Sequence, residues 1–144
     1  MVFGDALTSA DTVDGGLETA DMLVFQANDS NTSALDNVRH VEYISVTGGD
    51  VHLTLTNDMV SSADGQLTID ASSATNLTLD ASAVTSIGAS IFVIGTDNAD
   101  LVTLGAASDV ASMGSGDDFV DATFGVMTAS TWVQATTRWC LAMR

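Results

Sequence analysis

Between residues 95 and 121 the chain reads GTDNADLVTLGAASDVASMGSGDDFVD, and an aspartate returns at Asp100, Asp109 and Asp118, nine residues apart each time. Neither regular element has that period, since side chains alternate every two residues on a strand and a helix turns every 3.6. A nine-residue spacing marks instead a repeat of its own, with a carboxylate at the same place in each copy. A chain built this way is expected to stack on itself.

The rest of the sequence carries a slower repeat. An apolar–x–apolar signature, the mark of a short half-buried strand, recurs at Ile44/Val46, Leu53/Leu55, Leu67/Ile69, Leu77/Leu79, Ile91/Val93, Val102/Leu104 and at Val120. Taken alternately, the positions 44, 67 and 91 and the positions 53, 77 and 102 advance by 23, 24, 24 and 25 residues. The segment LTIDASSATNLTLDAS repeats LTxDAS within one such step. A near-constant step holding two strands predicts an all-β parallel β-solenoid, with one strand of each coil on either wall. A β-sandwich would not produce matching steps at coil length. In the last third the step falls to 18 residues, two units of nine. TGGD, ADG and GTDN supply turn chemistry between strands. Helical periodicity is weak, and residues 31–44 are expected to hold one short turn at most.

The net charge of −16 arises from 19 acids, only two of them glutamate (Glu18 and Glu42), against three arginines and no lysine. Phosphate neutralisation needs clustered basic residues, so nucleic acid is excluded as an expected partner, and an anionic membrane surface with it. Aspartate favours turns whereas glutamate favours helix interiors. The 46% apolar content argues against disorder. No run reaches the 18 or so apolar residues of a membrane span, so membrane insertion is not expected. The N-terminus lacks the basic-then-apolar pattern of a signal peptide, and the chain is expected to be a segment of something larger. Cys140 is the single cysteine, so no internal disulfide framework is expected.

Written in nines, residues 95–121 resemble the RTX (repeats-in-toxin) calcium-binding nonapeptide, G-G-x-G-x-D-x-U-x with U a large apolar residue. The third unit, with Gly114, Gly116, Asp118 and Val120, matches well. The first keeps Gly95 but has Asn98 at the fourth position, where a left-handed backbone is expected, and the middle one has Ala107 for glycine and a small Ala111 in the core position. The resemblance implies that the solenoid ends in an RTX-type β-roll, whose turns offer carbonyls and carboxylates to calcium, a cation that takes six to eight oxygens. Family geometry places calcium between turns 18 residues apart. The implied site joins Gly95, Asp97 and Asp100 to Gly114, Gly116, Asp117 and Asp118, with Asp109 at most a weaker one because its partner position holds Met127.

The expected organisation is a degenerate repeat or N-terminal coil over 1–25, metal-free coils over 26–94, the roll over 95–121, and an atypical tail over 122–144. In the first of these, Asp11, Gly15, Gly16 and Asp21 nearly follow the nonapeptide order. The middle coils are similar to Ala/Ser/Thr/Asp-rich stretches of large bacterial surface-layer proteins and adhesins. The tail concentrates both tryptophans, the cysteine and two arginines. It reads either as a frameshifted continuation of the array or as a cap, with Trp132 and Trp139 covering the solenoid's end.

No catalytic constellation emerges, and no enzyme is expected. Nucleophilic catalysis needs a base beside the nucleophile. His52 is expected on an outward strand face, and His40 and Glu42 share a predicted strand face with no third metal ligand. The aspartates are expected in solvated turns. Polysaccharide-acting β-helices use Lys or Arg to hold acidic sugars, and this chain has one arginine before residue 138. A rank of Thr54, Thr78 and Thr103 on one wall, with Ser45, Thr68 and Phe92 on the other, raises ice binding as a lesser alternative. The expectation is a calcium-binding structural segment of a secreted or cell-surface bacterial protein, such as an adhesin, surface layer or filament. Type I export is implied by the resemblance. Copies of the chain, or neighbouring repeats, are expected to stack end to end through open ladder edges. A metal-free self-assembling solenoid is the alternative.

Overall fold

A computed structural model describes residues 1–4, 7–27, 33–63, 65–86, 88, 90–122, 126–127 and 138–140, the last two stretches as backbone. Its strands in chain order begin with β1 (Val13–Asp14), β2 (Met22–Ala27), β3 (Val38–Arg39), β4 (Tyr43–Gly48) and β5 (Asp50–Thr54). They continue with β6 (Gln66–Ser73), β7 (Asn76–Asp80), β8 (Ser90–Ile94) and β9 (Leu101–Thr103). The series closes with β10 (Ser108–Ser112), β11 (Phe119–Asp121), β12 (Val126–Met127) and β13 (Arg138–Cys140). Every pairing between them is parallel. One wall runs β12-β10-β8-β6-β4-β2 and the other β13-β11-β9-β7-β5, with β1 and β3 forming a separate pair. The parallel β-solenoid expected from the repeat is therefore the fold.

Alternation builds the walls. On β6, Leu67, Ile69 and Ala71 point inward with no exposed surface, while Thr68 and Asp70 face out. Leu77 and Leu79 do the same on β7. Stacking places like on like, so Leu23, Ile44 and Ile69 form one inward row. Each such side chain contributes about 1.5–3 kcal/mol on burial. The LTxDAS repeat now has a mechanism. Its alanine fits the tight inner corner, and the preceding aspartate accepts from the amide two residues on: Ser72 N to Asp70 Oδ1 at 3.0 Å, Ser82 N to Asp80 Oδ1 at 2.9 Å. The second bends the chain as it leaves β7, and the first lies within β6 where its pairing with β4 is irregular between Asp70 and Ser73.

Three expectations need correction. The register is offset by two residues in the middle coils: Ile44 lies beside Ile69, not Leu67, and Leu53 beside Leu79, not Leu77. A slip of two keeps every side chain on its own face, so the inward pattern could not reveal it. Leu67 does lie beside Ile91, and Val102 beside Val120 at the expected step of 18. Second, a helix, α1 (Asn57–Ser62), sits between β5 and β6; Thr56 caps it, accepting from Met59 N at 3.4 Å, and Met59 and Val60 are buried. Third, the threonines do not form one rank. Thr78 stacks between His52 and Leu101, whereas Thr54 and Thr103 flank Asp80. On the six-stranded wall, Met22, Tyr43, Thr68, Phe92 and Val110 make one outward rank, and Val24, Ser45, Asp70, Ile94 and Ser112 the next. No threonine array suited to ice exists on either wall among the described residues.

The N-terminal edge of β2 is covered. Val2 bridges Val24 in parallel, with Val24 N donating to Met1 O at 2.9 Å and Phe3 N to Val24 O at 2.7 Å. At the other end β12 and β13 add a strand to each wall from within the tail, Val120 lying opposite Trp139. Trp132 lies outside the described residues.

Candidate functional site

The turns of the implied site stack directly on one another. Gly114 and Gly116 have φ of +83° and +125°, a region side chains rarely adopt. A Cβ on Gly114 would sit 2.0 Å from Thr96 O, and one on Gly116 2.5 Å from Asn98 C. Close approach also explains Gly95, whose Cβ would meet Asp100 Oδ2 at 2.5 Å and Met113 O at 2.6 Å. The glycines thus bring main-chain carbonyls of one turn against the other. Asn98 stays outside the left-handed region, contrary to expectation, and its Nδ2 donates to Thr75 O at 2.9 Å.

The aspartates themselves are not solvated. Asp100, Asp109 and Asp118 are 3%, 1% and 2% exposed, whereas Asp97 and Asp117 are exposed. Each buried carboxylate reaches back one coil to a main-chain amide: Asp100 Oδ1 accepts from Leu77 N at 2.8 Å, Asp109 Oδ1 from Ile91 N at 2.8 Å, and Asp118 Oδ1 from Asp100 N at 3.0 Å. The nine-residue period thereby staples successive coils together, alternating between walls, across 23 residues at Asp100 and 18 at Asp109 and Asp118.

The three then differ. Asp100 is saturated by protein donors, since Thr96 N reaches Oδ2 and Thr96 Oγ1 reaches Oδ1, both at 2.8 Å. Asp109 and Asp118 each keep a buried Oδ2 without a hydrogen-bond partner among the described residues. Burial pushes all three carboxyls above their usual range. Amides of Leu77 and Thr96 oppose this at Asp100, and those of Ile91 and Gly105 at Asp109. At Asp118 only the Asp100 amide opposes it, and the nearby negative charges of Asp100 and Asp117 push it further up.

A buried carboxylate oxygen without a donor is what a cation would satisfy, and carbonyl-rich glycine turns beside it suit a hard divalent ion. Among the described residues no three His, Cys, Asp or Glu side chains converge as a metal-binding group. The donor set would therefore rest on carbonyls, with Asp118 as its buried carboxylate.

The other flagged residues have different roles. Asp11 caps a turn, accepting from Thr8 N and Thr8 Oγ1 at 2.9 Å each. Asp21 and Glu42 are half-buried, and Glu42 Oε2 accepts from the amides of Ala20 and Asp21 at 3.0 and 2.8 Å. Asp11 and Asp21 thus serve separate turns, and Gly15 packs beneath His40 O. A cavity of about 110 Å³ lies there, lined by Asp14, Gly15 and Asp21 among others. His40 is not on a strand face with Glu42: its φ is +51°, and its Nδ1 pairs with Asp14 Oδ1 at 2.8 Å. That bond holds the Asp14 carboxyl below its usual range. His52 faces outward, half-buried, between Asp50 and Thr54 on β5.

No helix among the described residues is long and apolar enough to cross a membrane. Comparison with family models, with curated proteins and with solved structures gives no match for this chain.

Proposed function

We propose that the chain is a structural, non-enzymatic β-solenoid segment whose last coils bind calcium in the manner of RTX repeats, outside the cell or on its surface. The observation that carries this reading is the Asp118 carboxylate, 2% exposed, with one oxygen lacking a donor and two further carboxyl charges beside it. A divalent cation there removes the desolvation cost and the repulsion together. Residues Asp118 and Asp117, with carbonyls of the 95–99 and 113–117 turns, would hold it, and Asp100, engaged by protein donors, would add its negative charge beside the ion. Asp97 would assist from the exposed side, and Asp109 would contribute to a second, weaker site. When bound, calcium supplies folding free energy, about 2.7 kcal/mol at a hundred times its dissociation constant. Low cytoplasmic calcium would leave the roll loose during type I export, and higher calcium outside would tighten it. In an adhesin, surface layer or filament, such a segment acts as a spacer, and neighbouring repeats would stack on its ends.

Asp100 favours a second reading. Its carboxylate is fully satisfied by protein donors, as expected of a constitutive, metal-free solenoid that assembles without calcium. Calcium titration of chelator-treated protein, followed by far-UV circular dichroism, separates the two. Calcium binding predicts a gain of β signal that is lost in the Asp100→Ala, Asp118→Ala double variant. A spectrum indifferent to calcium would leave the metal-free reading.

A further inference from the structure

We propose that the outer face of the six-stranded wall is the contact surface of a face-to-face dimer of this chain. Outward positions of a solvated wall are expected to be polar. Here Met22, Val24, Tyr43, Phe92, Ile94 and Val110 all point outward and lie in two adjacent ranks. Met22 is 46% exposed, and the other five are partly exposed.

The partner follows from charge. The chain carries −16, yet the two central ranks of this wall hold one carboxylate, Asp70. That carboxylate is already engaged by Tyr43 and by the amide and hydroxyl of Ser72. The opposite wall presents Asp80 and Asp121 among its outward residues, and the roll turns present Asp97 and Asp117. Two copies of so acidic a chain repel through every surface lined with carboxylates. The opposite wall also exposes Leu101 and Phe119, but this wall carries the larger set, six outward apolar groups in two adjacent ranks.

Geometry and area agree with a second copy. The five strands β2, β4, β6, β8 and β10, about 4.8 Å apart and about six residues long, give a face on the order of 500 Å². A pair would bury about 1,000 Å², the lower limit for a specific interface. Sheets pack face to face about 10 Å apart with their strands nearly aligned. A two-fold axis normal to the wall's long direction brings the same patch of each copy together, so association closes at two. End-to-end stacking would instead remain open.

Sedimentation equilibrium on the full chain, with and without calcium and at low and high salt, tests this surface. The expected result is a reversible monomer–dimer equilibrium that stops at two, strengthens with salt as repulsion is screened, and persists without calcium. A Phe92→Glu, Ile94→Glu variant should dimerise at least tenfold more weakly, and so should Met22→Lys, whose half-exposed side chain makes loss of fold an inadequate explanation. Thr78→Glu on the opposite wall should dimerise as the parent does. A monomer at all concentrations, association indifferent to the wall variants, or open-ended polymers would each overturn the dimer. None of these results bears on calcium binding, which the dichroism titration judges separately.

Discussion

Asp70 and Asp80 in the middle coils, and Asp100, Asp109 and Asp118 in the last ones, are the same residue type on the same two walls, with opposite fates. The first two stand at outward positions near strand ends and bond forward to serine. The Asp80 carboxyl lies below its usual range because the Ser82 hydroxyl and amide donate to it. At Asp70 partial burial pushes upward, but donors from Ser72 and Tyr43 outweigh it. The second three stand inward, bond backward to the preceding coil, and are pushed upward by burial. Parity decides between these fates. Asp100 and Asp118 lie two residues before the buried Val102 and Val120, hence on the core side, whereas Asp70 and Asp80 follow the buried Ile69 and Leu79 by one. An aspartate on the inward parity becomes a staple between coils, and one on the outward parity becomes a corner.

The sharpest contrast is expected on truncation. Asp100→Ala leaves the buried amides of Leu77 and Thr96 unpaired and should cost about 2–4 kcal/mol, lowering Tm by on the order of 10 °C. An intermediate effect is expected from pH in metal-free buffer. Groups whose folded pKa is raised stabilise the fold below their unfolded pKa, and this contribution is lost as pH rises through the folded value. Buried Asp100, Asp109 and Asp118 should therefore make the metal-free protein lose stability as pH rises from their ordinary value of 3.8 through their raised folded values. The depressed carboxyls of Asp70 and Asp80 work the other way, but only as pH falls below the ordinary carboxylate range of about 4. Thermal melts at a series of pH values from about 4 upward would show the slope; a metal-free protein whose stability climbs steadily over that range would contradict the raised values. The smallest effect belongs to Asp80→Ala, expected to cost below about 1 kcal/mol because water replaces its corner bond. Equal losses at Asp80 and Asp100 would erase the contrast.

Much of this was legible in the sequence. The two-strand coil, the inward apolar pairs and the 18-residue step follow from spacing alone, because a parallel ladder demands a constant rise of chain per coil. Register was not legible, since a slip of two preserves every face. A six-residue α1 is too short for helical periodicity to register. The burial of Asp100, Asp109 and Asp118 was readable in principle, because the sixth and eighth positions of each unit share a face. It was overridden by the general preference of aspartate for solvated turns. His40 misled because a strand was expected where the chain turns left-handed. In the tail the Gly–Asp signature ends, yet β12 and β13 continue the ladders, because the main-chain bonds that build a wall do not depend on which side chains hang from it.

The central claim is that Asp118, unlike Asp100, is incomplete without a cation. Thermal unfolding of the parent chain and of Asp118→Asn, each with excess calcium and after its removal, tests this most directly. Calcium should raise the Tm of the parent by several degrees and leave the variant unmoved, while the metal-free variant should be at least as stable as the metal-free parent because a buried charge has been removed. An equal calcium response in both proteins, or a variant that is markedly less stable without metal, would contradict it.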